Sequence, residues 1–159
     1  SAELAEDYFG AATTFVAAEI DQTTRKAKIL SVGDSRAYLI DAQGKWQQIT
    51  QDHSILSELL ADFPDKKEED FATIYGGISS CLVADYFEFQ DKIFYQEIEI
   101  KQGESLLLCS DGLTDGLSSE VREKIWKQYD NDKSRLTVCR KLIAKQIAYD
   151  DLSVIICAF

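Results

Sequence analysis

The stretch Leu106-Leu107-Leu108-Cys109-Ser110-Asp111-Gly112-Leu113-Thr114-Asp115-Gly116 decides how this chain is read. Four apolar residues stand together between Gly103 and Gly112. So short a run, bounded by turn formers, predicts a strand buried on both faces. Asp111 and Asp115 follow at once, with Gly112 between them. Carboxylates at the mouth of a buried strand suit a hard cation such as Mg²⁺ or Mn²⁺, which takes oxygen ligands, while glycine lets backbone approach closely. A strand end, an Asp-Gly turn and the start of a helix account for the same residues without any ligand.

Working outward, β-rich runs at 11–20 and 27–32 flank the polar segment 21–26 and predict a hairpin. Gly33-Asp34-Ser35-Arg36 punctuates, and 37–40 resumes a strand; Asp41-Ala42-Gln43-Gly44 is a turn into a strand at 46–50. Four short strands with tight connections predict an antiparallel meander. Ser54 caps a helical pattern with Ile55, Leu59 and Leu60 on one face. The acidic stretch 62–70, with the only proline, reads as an exposed loop, and 71–84 fits helix or strand, with a break at Gly76-Gly77. Alternation over 93–100 makes a strand, and Gly103 turns it into the Leu106 strand as a second hairpin. Ser118 and Glu120 open a helix carrying Val121, Ile125 and Tyr129. A longer helix at 133–148 sets Leu136, Cys139, Ile143 and Ile147 inward. The last segment, 152–159, is apolar on both faces and reads as a central strand, and residues 1–9 could finish a helix.

The 159 residues form one domain or part of one, with a core of ordinary size. A formal net charge of -11 argues against non-specific nucleic-acid binding and against anionic membranes. No apolar run reaches membrane-spanning length and no signal peptide is seen. Cys81, Cys109, Cys139 and Cys157 are far apart, with no zinc spacing, which fits a reduced, cytoplasmic setting. The chain contains no methionine, even at position 1, so it is expected to be processed or a piece of a longer protein.

Abrupt strand ends leave Asp34, Asp111 with Asp115, and Asp150 with Asp151. If the strands before Asp111 and after Asp151 are antiparallel neighbours, these acidic ends lie together, which is unfavourable unless a cation neutralises them. Caps and turns would explain each aspartate singly.

The series Gly33-Asp34-Ser35-Arg36-Ala37-Tyr38, Ile49-Thr50-Gln51-Asp52-His53-Ser54, Ser110-Asp111-Gly112-Leu113-Thr114-Asp115 and Asp150-Asp151-Leu152-Ser153-Val154 resembles, in order, the motifs of the type 2C protein phosphatases. Residues 10–18 resemble the strand before the first of them. The resemblance implies an α+β fold, a sandwich of two antiparallel β-sheets flanked by helices, incomplete at the amino terminus, with 1–159 as a single partial domain. It implies dephosphorylation of phosphoserine and phosphothreonine in proteins by water activated at a dinuclear Mg²⁺ or Mn²⁺ centre. Asp111 resembles the ligand of the SDG motif and Asp150 that of the motif before the last strand. Asp34 and Asp115 resemble residues of a further, weaker metal site. Asp151 replaces the family's usual asparagine, which leaves Asp150 and Asp151 both open as the metal-facing residue. Arg36, His53 and Cys109 take structural readings.

The family's amino-terminal third, with a phosphate-binding arginine and a DGxGG motif, has no counterpart here. The chain alone is therefore expected to be inactive, and sheet edges left without neighbours invite homo-oligomerisation. A phosphatase-like binding or regulatory module without turnover is the alternative, and an acidic α/β domain whose aspartates are all turn residues is a third reading.

Overall fold

The computed structural model describes residues 10–71, 77–83, 93–147 and 150–159. The helix expected to end within 1–9, Gly76 of the Gly-Gly break, and residues 72–76 and 84 of the ambiguous 71–84 stretch lie outside these. Two sheets carry the fold. One is the hairpin of β2 (Phe15–Asp21) and β3 (Lys26–Val32) with β7 (Phe94–Glu99) added beside β3. The other has the order β5 (Trp46–Gln48), β4 (Arg36–Ile40), β8 (Ser105–Cys109), β9 (Val154–Ala158). All pairings are antiparallel. A small two-stranded ladder joins β1 (Ala12–Thr13) to β6 (Leu82–Val83).

Strand alternation builds two core layers. Ala37 and Leu106 turn toward Ala27 and Ile29 of the three-stranded sheet and fill the space between the sheets. Tyr38, Ile40, Leu107 and Cys109 turn the other way, against Leu113 of α2 (Asp111–Gly116), Ile125 and Trp126 of α3 (Ser119–Gln128), and Cys139 and Ile143 of α4 (Asp132–Ile143). Leu106 and Leu107 are 2% and 0% exposed, so β8 is buried on both faces as its unbroken apolar run predicts. Each such leucine contributes roughly 1.5–3 kcal/mol. Ser54, Ser118 and Asn131 cap α1 (Ile55–Asp62), α3 and α4 through their side chains.

Several expectations are corrected. The first four strands do not form one meander: β2–β3 and β4–β5 belong to different sheets. The chain changes sheet at Gly33-Asp34-Ser35 and again at the Gly103 turn, so β7 and β8 are not a hairpin either. Local alternation cannot distinguish a turn that pairs its flanking strands from one that carries the chain across the core. Strand β9 lies at an edge among the described strands, with Ile155 69% exposed, although its sequence is apolar on both faces. Helix α4 stops at Ile143, where the backbone tightens into bonds from Lys145 to Leu142 and Gln146 to Ile143, and Ile147 is fully exposed. Helix α1 buries no residue, and a short 3₁₀ turn, Glu68–Phe71, interrupts the acidic loop.

Candidate functional site

The acidic ends meet at one end of the sandwich, and backbone geometry explains how. Strands β8 and β9 are neighbours with Cys109 opposite Val154, so Ser110-Asp111 leaves the sheet beside Asp150-Asp151. Ser110 fastens the two. Its hydroxyl donates to the Asp151 carbonyl at 3.1 Å and accepts from the Ser153 N–H at 3.1 Å, while its own N–H donates to the Ser153 carbonyl at 3.1 Å. Gly112 makes the contact possible: a Cβ there would stand 2.4 Å from the Asp151 carbonyl oxygen and 3.3 Å from that of Asp150. Asp111 then turns one carboxylate oxygen back onto the Gly112 N–H at 2.9 Å, and Asp150 does the same to the Asp151 N–H at 2.7 Å.

Asp34 arrives from the crossing loop. Gly33 has φ +98°, and a Cβ on it would come within 2.4 Å of the Thr14 side chain, so both conformation and space require glycine. The loop is pinned from its other side by His53, whose N–H donates to the Gly33 carbonyl at 2.9 Å and whose Nδ1 accepts from the Gly33 N–H at 3.1 Å. Arg36 donates Nε to both oxygens of Asp52 at 2.9 Å, and its Nη2 bonds Oδ2 as well. Burial opposes the guanidinium charge, but the Asp52 carboxylate outweighs it and leaves Arg36 the stronger base.

The electrostatics bring four of the predicted aspartates into one field. Burial first, and then the charge of Asp111, raise the Asp34 carboxyl above the usual carboxylate range. Asp115 is raised by the same two causes in the same order, with Asp52 and Asp150 adding to the effect and Arg36 opposing it. Asp52, which the motif reading left without a role, thus belongs to this field; its place directly before the buried His53 was the available signal. Ser110 was likewise missed as the fastening between the two acidic ends, although it stands directly before Asp111.

Carboxylates gathered at one end of the sandwich, with burial and the charge of Asp111 disfavouring ionisation of Asp34 and Asp115, offer the oxygen donors that a hard divalent cation takes. Their number falls short: among the described residues no group of three His, Cys, Asp or Glu side chains stands close enough to hold a metal ion by itself. The thiol next to them is inert, since burial pushes the Cys109 pKa up to about 12. All four cysteines are free, and no described helix is long and apolar enough to cross a membrane.

Two antiparallel sheets with helices on a face and aspartates gathered where β8, β9 and the Gly33 loop end define a phosphatase-type α+β sandwich. The chain belongs to the protein phosphatase 2C family, whose sequence profile matches residues 2–140. It is 35% identical over 126 residues to the serine/threonine phosphatase Stp of Listeria innocua serovar 6a, covering 79% of this chain and 48% of that protein. The chain thus spans about half the length of the curated relatives it matches. The crystal structure of the Mycobacterium tuberculosis serine/threonine phosphatase PstP superposes with a TM-score of 0.80 at 25% identity, covering 97% of this chain and 63% of that one. A second structure, the PstP catalytic domain in complex with two manganese ions, gives a TM-score of 0.72 at 25% identity, covering 97% and 61%.

Proposed function

We propose that this chain is part of the catalytic unit of a metal-dependent phosphatase acting on phosphoserine and phosphothreonine in proteins, and that the 159 residues alone are inactive. The observation that carries this reading is the β8–β9 pairing that brings Ser110-Asp111 beside Asp150-Asp151, with the charge of Asp111 acting on both Asp34 and Asp115. Asp111 and Asp150, with Asp34 and Asp115, are the residues that would hold Mg²⁺ or Mn²⁺; the manganese-bound PstP structure supports the choice of ion class. Asp150 is preferred over Asp151 because it stands at the aspartate position of the motif before the last strand, and its charge also acts on Asp115. When bound, a divalent pair supplies an acidified water and offsets charge on the phosphoryl oxygens. The chain's own part is to present carboxylates from a rigid strand pair, with Ser110 and Gly112 fixing their spacing, and to keep Arg36 committed to Asp52. Among the described residues too few donors converge for a closed shell, and the inactivity proposed for the isolated chain rests on that. The free cysteines support a reducing, cytoplasmic location.

Titration calorimetry with Mn²⁺ tests the assignment. Wild type is expected to bind weakly and saturably, and Asp111→Asn to bind about ten-fold or more weakly, as removal of a ligand entails. Equal binding by the two proteins would remove Asp111 from the metal-facing set. In parallel, hydrolysis of p-nitrophenyl phosphate and of a phosphopeptide with Mn²⁺ is expected at the blank rate, and appreciable turnover would overturn the expected inactivity. The incomplete donor set among the described residues also favours a second reading, a phosphatase-like binding module without turnover. That reading predicts no saturable Mn²⁺ binding in either protein.

A further inference from the structure

The buried donors of one cluster have nothing to donate to. Arg122 of α3 is 8% exposed and lies over the rings of Tyr38 and Trp46, its Cζ 5.1 and 5.0 Å from their centroids. Trp46 meets Trp126 edge to face, with centroids 4.6 Å apart. Arg122 Nε and Nη1, Trp46 Nε1 and Trp126 Nε1 are each buried with no hydrogen-bond partner among the described residues. Arginine and tryptophan side chains only donate, so the cluster holds a fixed positive charge and orphan N–H groups with no acceptor among them.

No counter-charge is at hand. Among the described residues no carboxylate pairs with Arg122. Glu123 bonds Lys127 at 3.8 Å, and the exposed Glu120 has its pKa lowered first by Ser118 and only last by Arg122. The charge of Arg122 reaches the thiols of Cys109 and Cys139, but burial pushes their pKa values up to about 12 and about 11, so both stay neutral. A guanidinium buried in this way is costly, and contact with ring faces offsets only part of that cost. A water molecule would bring hydrogens of its own into a wall of donors, whereas an anion brings acceptors alone.

We propose that Arg122, flanked by Trp46 and Trp126, is an oxyanion-binding site that takes a carboxylate or phosphate group on the helix-covered side of the four-stranded sheet. Of the guanidinium nitrogens only Nη2 is not enclosed, so the group arrives from solvent on the edge that bears Nη2. Trp46, partly buried on β5, is the side chain that yields to let it reach the donors behind. The two rings hold the guanidinium in place before the ligand comes, which leaves little side-chain freedom to lose on binding. The inference stands without the phosphatase reading and needs no metal.

Trp46 and Trp126 are the only tryptophans of the chain, so the intrinsic fluorescence of the whole 159-residue protein reports on this cluster. In metal-free buffer at neutral pH, sodium phosphate and sodium acetate are titrated against sodium chloride at matched ionic strength. A saturable change with phosphate, acetate or both is expected, with none from chloride, and the arm that responds identifies the group. The melting temperature is expected to rise by about 3–6 °C with that anion at ten times its dissociation constant. Arg122→Met removes the charge and keeps most of the apolar stem. It should abolish both responses and, without anion, melt no lower than wild type, as when a buried charge gives way to an apolar residue. Lys127→Gln, which removes an exposed charge next to Trp126, is the control for bulk electrostatics and should keep both responses. No response to either oxyanion, an equal response to chloride, or a response that survives Arg122→Met or is lost equally in Lys127→Gln overturns the assignment. So does an Arg122→Met protein that melts well below wild type in anion-free buffer, since the two rings alone would then sustain the charge.

Discussion

Asp34 sits partly out of water, close to Asp111, beside an arginine already committed to Asp52. Both burial and the neighbouring charge favour its protonated form, so the folded protein holds this proton more tightly than the unfolded chain does. Stability from this residue is therefore greatest at acid pH and is lost as the pH rises through its raised folded pKa. Asp34→Asn should consequently raise the melting temperature at neutral pH by a small amount, about 1–3 °C after allowance for solvent screening. The gain should shrink as the pH falls into the ordinary carboxylate range. A gain that grows on acidification would contradict the account. Thermal melts of the two proteins across that range supply the measurement. At this scale the motif resemblance indicated what kind of role a residue plays but not which residue it touches. His53 was legible as structural, and it does brace Gly33. The partner of Arg36 was not, because Asp52 lies on a different motif and the pairing depends on how β4 and the following loop stack.

Among the elements, the contact between α2 and the segment preceding β9 is the tightest that bears on the site. Gly112 has no left-handed φ, so its need for glycine is purely one of space. Gly112→Ala should push the Asp150-Asp151 backbone away from Asp111, at a cost of about 1–3 kcal/mol as for other overpacked sites. Mn²⁺ affinity should fall with it. Denaturant unfolding and calorimetry on the one variant check both, and unchanged affinity in a destabilised protein would separate Gly112 from the site. Single elements were read well from the sequence: β8 from its apolar run, the β2–β3 hairpin from its polar centre, and α1 and α3 from their capping serines. Pairings were not, because period-two alternation marks which face a residue takes but not which strand lies alongside. The end of α4 was overextended for a related reason. Ile147 continues the helical spacing, yet Ile143 is the last residue of α4 in the core and Ile147 is fully exposed, so further turns would bury nothing.

Across the molecule, the four-stranded sheet presents β9 as an edge among the described strands with exposed Ile155, and the three-stranded sheet leaves Phe15 and Leu30 46% and 37% exposed. Unpaired apolar edges template association. Light scattering should find a concentration-dependent population above monomer size, and Ile155→Lys should lower it, whereas a monodisperse wild-type monomer would refute the idea. The α+β sandwich itself was legible from motif order across the chain. The exposed edge was not, because an apolar strand looks the same whether or not a neighbour is there to cover it. One further consequence lies in the hydrogen-bonded ladder that ends at Cys109 and Val154. The gap between Asp111 and Asp150 is inherited from the spacing of adjacent strands and from the Ser110 bonds to Asp151 and Ser153, so the connection between α4 and Asp150 could be rewritten in length and composition while the interval between the two carboxylates stayed where the sheet had set it.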